Sequence, residues 1–230
     1  MKAERITIGG IPAIVWGEPS EQAYLCVHGK MSCKEDMAAM ADIAVQRGYQ
    51  VISFDLPQHG ERKDKPDRCD VWNGVRDLTT VGDYAFARWR EVSLFACSLG
   101  AYFSLQAYPA RRFARCLFQS PILDMELLIR RMFLWFGVTE ERLEQEGEID
   151  TPIDPLRWDY YQYVLAHPVA RWEAPTRILY GSRDNLQPMS AAEGFAARFG
   201  AQLTVAEGCS HAFMDDGEPA VVRRWLEDNL

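Results

Sequence analysis

Six apolar, strand-like runs recur along the chain (YLCVHG, YQVISFDLP, EVSLFACS, ARCLFQSPIL, TRILYG and QLTVAEG), and helical patterns separate them. Parallel strands cannot be joined by tight turns. They need long crossovers, usually helical, that pack on the faces of the sheet. The order therefore predicts an α/β fold with a mainly parallel sheet and helices on both faces. Ahead of the first run, RITIGGIPAIVW reads as a hairpin in which Gly9 and Gly10 supply the turn. With 230 residues, 48% of them hydrophobic, the chain can bury one substantial core, and a single domain over residues 1–230 is expected.

Helix boundaries follow from capping chemistry. Ser32 and Glu35 have capping-box spacing ahead of the apolar-periodic Met37, Met40, Ala44 and Val45, and Gly48 stands where the helix should end. Ser190 and Glu193 repeat the start signal for a helix ending near Gly200, and Pro219 opens a last helix running through Trp225. Between residues 122 and 172 the alternation breaks. LLIRRMFLWF, an acidic stretch and DPLRWDYYQYV make this segment helical and aromatic. A single strand-to-helix connection needs far fewer residues, so a small helical cap inserted over one edge of the sheet is predicted.

Charge and cysteine content exclude several classes. A net charge of −8 opposes attraction to nucleic acid or anionic lipid. The N-terminal MKAERITIGG is charged where a signal peptide needs an apolar core, which makes the cytoplasm the expected location. The six cysteines form no CxxC pair, and most fall in strand-like runs as buried thiols. The four histidines lack ligand spacing, so neither a metal site nor a cofactor is expected. The uncharged stretch from Val92 to Ala110 approaches the length of a membrane span, but Ser93, Ser98, Gly100, Ser104, Gln106 and Pro109 dilute it too far.

The centre of that stretch, FACSLGAYF, places Ser98 between a strand and a helix, with small residues at Ala96 and Gly100. A turn of this kind lifts the hydroxyl out of the backbone and leaves the Leu99 amide facing a developing oxyanion near a helix N-terminus. On these residues the chain resembles the α/β-hydrolase superfamily of serine esterases, lipases and peptidases, over nearly its whole length. The usual GxSxG stands here as ACSLG, so an alanine replaces the first glycine. A serine hydroxyl is a poor nucleophile without a base to take its proton and an acid to orient that base. RILYGSRDNLQP carries Asp184 past one strand and VAEGCSHAF carries His211 past the next, matching the superfamily order of Ser, Asp, His. Asp124 also follows a strand, where some members carry their acid. Asp184 is preferred because its loop resembles the acid loop and because Asp124 can cap the first helix of the insertion.

The resemblance also implies a second oxyanion donor, the amide of Lys30 in CVHGK, beside that of Leu99. A phosphate-binding loop is excluded there, because Tyr24 and Met31 stand where such a loop needs glycine and serine or threonine. DLPQHGER resembles the Asp-x-Pro-x-His-Gly turn of the superfamily, which assigns His59 a loop-shaping role, and His28 is read as structural. Cys97 should point into the core and not toward the cleft. The expected function is cleavage of a small or medium carboxylic ester through an acyl-enzyme on Ser98, His211 and Asp184. The same residues would serve a peptidase, thioesterase or acyltransferase, and a non-catalytic ligand-binding module of the same fold is the rival of a different class. The partner would be a small-molecule ester, with no nucleic acid and no membrane span. Among the aromatics of the insertion, Trp158, Tyr160 and Tyr161 are the candidates for substrate contact, together with walls from Met132, Phe133, Trp135 and Phe136.

Overall fold

The computed structural model describes all 230 residues, Met1–Leu230. In chain order the elements are β1 (Ala3–Ile8), β2 (Ile11–Trp16), β3 (Gln22–Val27), α1 (Ala38–Gln46), β4 (Gln50–Phe54), α2 (Val71–Arg88), β5 (Glu91–Cys97), α3 (Leu99–Ala107) and β6 (Cys116–Gln119). There follow α4 (Met125–Phe136), α5 (Glu140–Glu146), β7 (Glu148–Ile149), β8 (Leu156–Arg157), α6 (Trp158–Ala166), β9 (Thr176–Gly181), α7 (Met189–Phe199), β10 (Gln202–Ala206) and α8 (Glu218–Asn229). Eight strands form one sheet in the order β1-β2-β4-β3-β5-β6-β9-β10. Only the pairings of β2 with β1 and with β4 are antiparallel, and every other pairing is parallel. The predicted hairpin and all six strand-like runs are present.

Burial explains why those runs read as continuous apolar segments. Every residue of β4 is buried, as are five of the six in β3, because helices cover both faces of the parallel sheet. Successive side chains of a strand point to opposite faces. In β3, Ala23, Leu25 and Val27 accordingly enter a core of 44 buried residues shared with α2 and α3, while Tyr24 and Cys26 enter one of 16 residues under α1 and α8. The uncharged Val92–Ala110 stretch divides into strand and helix at Ser98, and no helix is long and apolar enough to cross a membrane.

Two helix starts differ from their expected form. Before α1 the chain makes a 3-10 turn over Lys34–Met37, and Asp36, not Glu35, closes it by accepting from the Cys33 N–H at 3.0 Å and the Ser32 hydroxyl at 2.8 Å. The carboxylate of Glu35 is turned instead to Arg5 and Lys34, 2.9 and 3.2 Å away. Helix α7 starts from Pro188 with Ser190 already inside it, and it has no side-chain cap. The expected ends hold. Gly48 and Gly200 have φ of +85° and +69°, a left-handed conformation that costs glycine little.

Between β6 and β9 the chain forms α4, α5, the two-stranded β7-β8 ribbon and α6, which make up the small helical cap. Ile129, Met132, Phe133, Leu143, Tyr161 and Val164 of this segment join the larger core. Asp124 caps α4 by accepting from the Leu127 N–H at 2.9 Å, and Gly137 ends that helix at φ +61°.

A buried charge cluster ties the turn before α1 to the loop after β4. Lys34 is 1% exposed, and its ammonium lies 2.7 Å from the fully buried Asp55 and 2.8 Å from Glu61. Burial pulls the lysine pKa down, but the hydrogen bonds to Asp55, Glu61 and Glu35 outweigh it and hold the pKa above its ordinary value. Asp55 also accepts from the N–H groups of Lys34 and Glu61, both at 3.0 Å. Gly60 is required beside it, since a Cβ there would fall 2.1 Å from the Asp55 carboxylate. Removing one member of such a pair strands the other in low dielectric. Asp55→Ala is therefore expected to destabilise the protein by about 3–5 kcal/mol in chemical denaturation, well beyond the cost of a surface substitution.

Candidate active site

Ser98 occupies the junction of β5 and α3 with φ +46° and ψ −116°, backbone space that a non-glycine residue adopts only under constraint from its surroundings. The constraint is visible. The Ser98 N–H donates to Gln119 O of β6 at 3.1 Å, and its carbonyl accepts from Ala101 and Ile122, each at 3.1 Å. Two residues on, Gly100 lets α3 press against the end of β3. A Cβ there would sit 2.4 Å from the carbonyl oxygen of His28 and 2.8 Å from that of Val27.

Ser98, Asp184 and His211 come together although they lie on three loops. The Ser98 hydroxyl is 2.9 Å from His211 Nε2, and His211 Nδ1 is 2.6 Å from Asp184 Oδ2. The other Asp184 oxygen accepts from the N–H groups of Leu186 and Gln187 at 2.8 and 3.0 Å. A carboxylate receiving N–H donors at both oxygens places the imidazole proton on Nδ1 and leaves Nε2 able to accept from the serine. The side chain of Asp184 is 1% exposed and that of His211 14%, so the acid is shielded while the imidazole stays open on one side. Asp124 takes no part in this series and serves α4 alone.

The backbone N–H groups of the two expected oxyanion donors are both without a partner in the chain. Lys30 makes no backbone N–H hydrogen bond within the chain, and Leu99, first residue of α3, has no intrahelical partner for its own. Two neutral histidines shape the loop that carries Lys30. His28 Nδ1 donates to Gly29 O at 2.7 Å while Nε2 accepts from the Leu56 N–H at 3.0 Å. His59 Nε2 accepts from the Met31 N–H at 3.1 Å and Nδ1 donates to Pro57 O at 2.8 Å. Burial brings the pKa of His28 down to about 4, against the raising effect of the Gly29 carbonyl, and burial lowers that of His59 as well. Both act as spacers between the β3 and β4 loops. Cys97 lies 3.9 Å from Gln119 Oε1, and burial pushes its thiol up to about 12, which leaves it without a thiolate at neutral pH.

Ser98 and Leu99 open into a cavity of about 620 Å³. One wing is apolar: Met125, Leu128, Ile129 and Met132 present one face of α4, flanked by Ile122 and Leu186. The other wing carries Lys30, Arg68, Asp70, Glu148, Asp154 and Arg157, together with Tyr160, and among them Met31, Cys69, Ile153, Pro155 and Leu156. Of the aromatics expected to touch substrate, only Tyr160 lines the cavity. Trp158 and Tyr161 do not. Tyr161 is fully buried against Phe133, with its hydroxyl on Glu140, and Trp158 packs beside it, because α6 turns that face toward the core. Met132 is a wall as expected, while Phe133 is buried in the core and Trp135 is exposed at the surface. The i, i+3, i+4, i+7 spacing of residues 125, 128, 129 and 132 was the available signal for the α4 wall.

Three positioning residues carry no local sequence signal. The Ser120 hydroxyl donates to the His211 carbonyl at 2.6 Å, from a backbone with φ +44°. Glu218 accepts from the N–H and hydroxyl of Ser210 at 2.6 and 2.7 Å and so fixes the residue before the imidazole. Gln187 accepts from the N–H groups of Leu123 and Asp124 and donates to Asp124 O, which joins the Asp184 loop to the start of α4.

Residues 24–225 match the model of the alpha/beta hydrolase family, and the chain belongs to that family. Its fold is similar to that of Est1E from Butyrivibrio proteoclasticus, solved with ferulic acid bound, at a TM-score of 0.80 and 18% identity over 98% of this chain and 97% of that one. Mouse alpha/beta hydrolase domain-containing protein 10 superposes at 0.75, with 16% identity over 99% and 98% of the two chains. A serine hydrolase-like protein from Dictyostelium discoideum is 31% identical over 93 residues, 40% of this chain and 26% of that protein, so the matched region spans about a quarter of the relative's length.

The neutral histidines make stability pH-dependent. An unfolded His28 takes up a proton near its reference value of 6.5, whereas the folded one resists until about 4, so between these values the unfolded state binds more protons. Stability is then fully present above pH 6.5 and falls as pH drops toward 4, by on the order of 3 kcal/mol for this residue alone. Titration of the imidazole by NMR should find His28 still neutral at pH values where a free histidine is charged.

Proposed function

We propose that this alpha/beta hydrolase is a serine hydrolase of carboxylic esters. The observation that carries the reading is the unbroken hydrogen-bonded series from Ser98 through His211 to Asp184, with its hydroxyl end facing a cavity large enough for a small-molecule ester. Ester binding would place the carbonyl carbon over Ser98 Oγ and its oxygen toward the amides of Lys30 and Leu99. As Oγ attacks, His211 Nε2 takes the serine proton, and Asp184 holds the imidazolium in line. The charge on the tetrahedral oxygen is met by the Leu99 amide at the N-terminal end of α3 and the Lys30 amide of the loop after β3. His211 then returns the proton to the leaving alkoxide. Water, deprotonated by the same nitrogen, releases the acid from Ser98. The segment from residue 122 to 172 acts as the cap that bounds the substrate cavity. Carboxylic ester is preferred over amide because an alkoxide leaves the tetrahedral intermediate more readily than an amine does and so makes the smaller demand on His211 as proton donor.

In well-folded protein, a fluorophosphonate probe should label Ser98, and peptide mapping should place the adduct there and nowhere else. Absence of labelling favours the ligand-binding module. Ser98→Ala is expected to reduce turnover of p-nitrophenyl acetate by on the order of 10³-fold or more with little change in Tm. Two amide substitutions separate the acids. Asp184→Asn should cost kcat a comparable factor, whereas Asp124→Asn should cost about 1 kcal/mol of stability at most, through the α4 cap. The opposite ranking would transfer the acid role to Asp124.

A further inference from the structure

The two wings of the cavity differ in a way that specifies the substrate further. Along α4, Met125, Leu128, Ile129 and Met132 fall on one helical stripe whose ends are about 10 Å apart, a length an octyl chain spans. None of the four offers a polar atom except the weakly accepting thioethers. The lining also holds three cations and three anions, and each charge is already matched within the chain. Lys30 lies 2.5 Å from Asp154, Arg68 2.7 Å from Glu148, and Arg157 3.1 Å from Asp70. A charged substrate group entering here would either break a pair or remain unmatched, and both outcomes cost desolvation energy that nothing returns. An alkyl group would find apolar contact at Ile153, Pro155 and Leu156, but it would strip water from the carboxylates and guanidinium groups among them and give those no hydrogen bond in exchange.

A neutral group bearing several hydroxyls meets both conditions, because each hydroxyl donates to a carboxylate lone pair and accepts in turn. The wing also holds groups free to take part. Tyr160 lines the cavity and its hydroxyl makes no hydrogen bond within the chain, and the Gln58 side chain uses its oxygen on the Cys69 N–H while its amide nitrogen has no partner. Resting on the ester hydrolase reading above, we infer that the substrate is an uncharged amphiphilic ester, with one arm a medium-length alkyl chain along α4 and the other a polyhydroxylated group held by Tyr160 and the ion-paired wing.

The test compares two esters with the same arms in opposite senses, glyceryl monooctanoate and octyl glycerate, against methyl octanoate, glyceryl monoacetate and the monooctanoyl ester of choline. At least one of the first two should exceed methyl octanoate and glyceryl monoacetate in kcat/KM by about tenfold or more, and the choline ester should fall below it by a similar factor. Which of the two is preferred tells which wing receives the acyl group. Tyr160→Phe should remove about three- to tenfold of the advantage over methyl octanoate, and Leu128→Trp, at a half-buried position, should abolish the advantage over glyceryl monoacetate. Turnover of p-nitrophenyl acetate with no preference for either amphiphile, or equal use of the choline ester, overturns this inference and leaves the esterase reading intact. If no ester is cleaved and Ser98 is unlabelled, the esterase reading falls. Binding then decides the rest, since glyceryl monooctanoate or octyl glycerate should raise the Tm of Ser98→Ala but not of the Ser98→Ala, Leu128→Trp double variant, and equal behaviour of the two variants rejects the divided cavity.

Discussion

The close approach of α3 to the end of β3 at Gly100 sets the geometry on which the site depends. It leaves no room for a side chain between the helix and the carbonyls of Val27 and His28, so the turn bearing Ser98 and the loop bearing Lys30 are held against each other. The same contact explains why Ser98 keeps an unfavourable φ. Its N–H is committed to β6, its carbonyl to Ile122, and the helix that follows cannot shift outward without opening the core beneath Ala101 and Phe103. From the Lys30 loop the constraint passes to the β4 loop through His28 and His59, and from there to the buried Lys34 and Asp55 pair. The surroundings of the proposed nucleophile are thus fixed from both edges of the central strands.

Much of this was legible in the sequence, for physical reasons that also mark where legibility ends. Strands such as β3 and β4 are buried on both faces and so appear as unbroken apolar runs whose order dictates a parallel sheet. The ends of helices were readable at Gly48 and Gly200 because a positive φ is costly for any other residue. Their beginnings were less so, since several residues can satisfy the same N–H groups. Asp36 outcompeted Glu35, which was drawn away by Arg5 and Lys34, and α7 starts one residue after Pro188 with no side-chain cap at all.

In the candidate site, the convergence of Ser98, Asp184 and His211 was readable because each lies just past a strand of the parallel sheet. Trp158 and Tyr161 mislead because an aromatic residue on a short helix is equally suited to core and cavity, and only the rotation of α6 decides between them. The roles of Ser120, Gln187 and Glu218 arise from contacts between segments far apart in the chain, and each looks locally like an ordinary polar loop residue.

Gln187 couples two parts of the protein that would otherwise be separable. Its backbone N–H supports Asp184, while its side-chain amide is spent on the three backbone groups that launch α4. The cap and the acid loop therefore form one mechanical unit across a gap of some sixty residues in sequence. A chimera that exchanges residues 122–172 for the cap of another hydrolase, while leaving the 184–187 loop behind, would graft a new substrate wall onto a misfitted foundation. Recombination within this family should succeed only when both segments travel together.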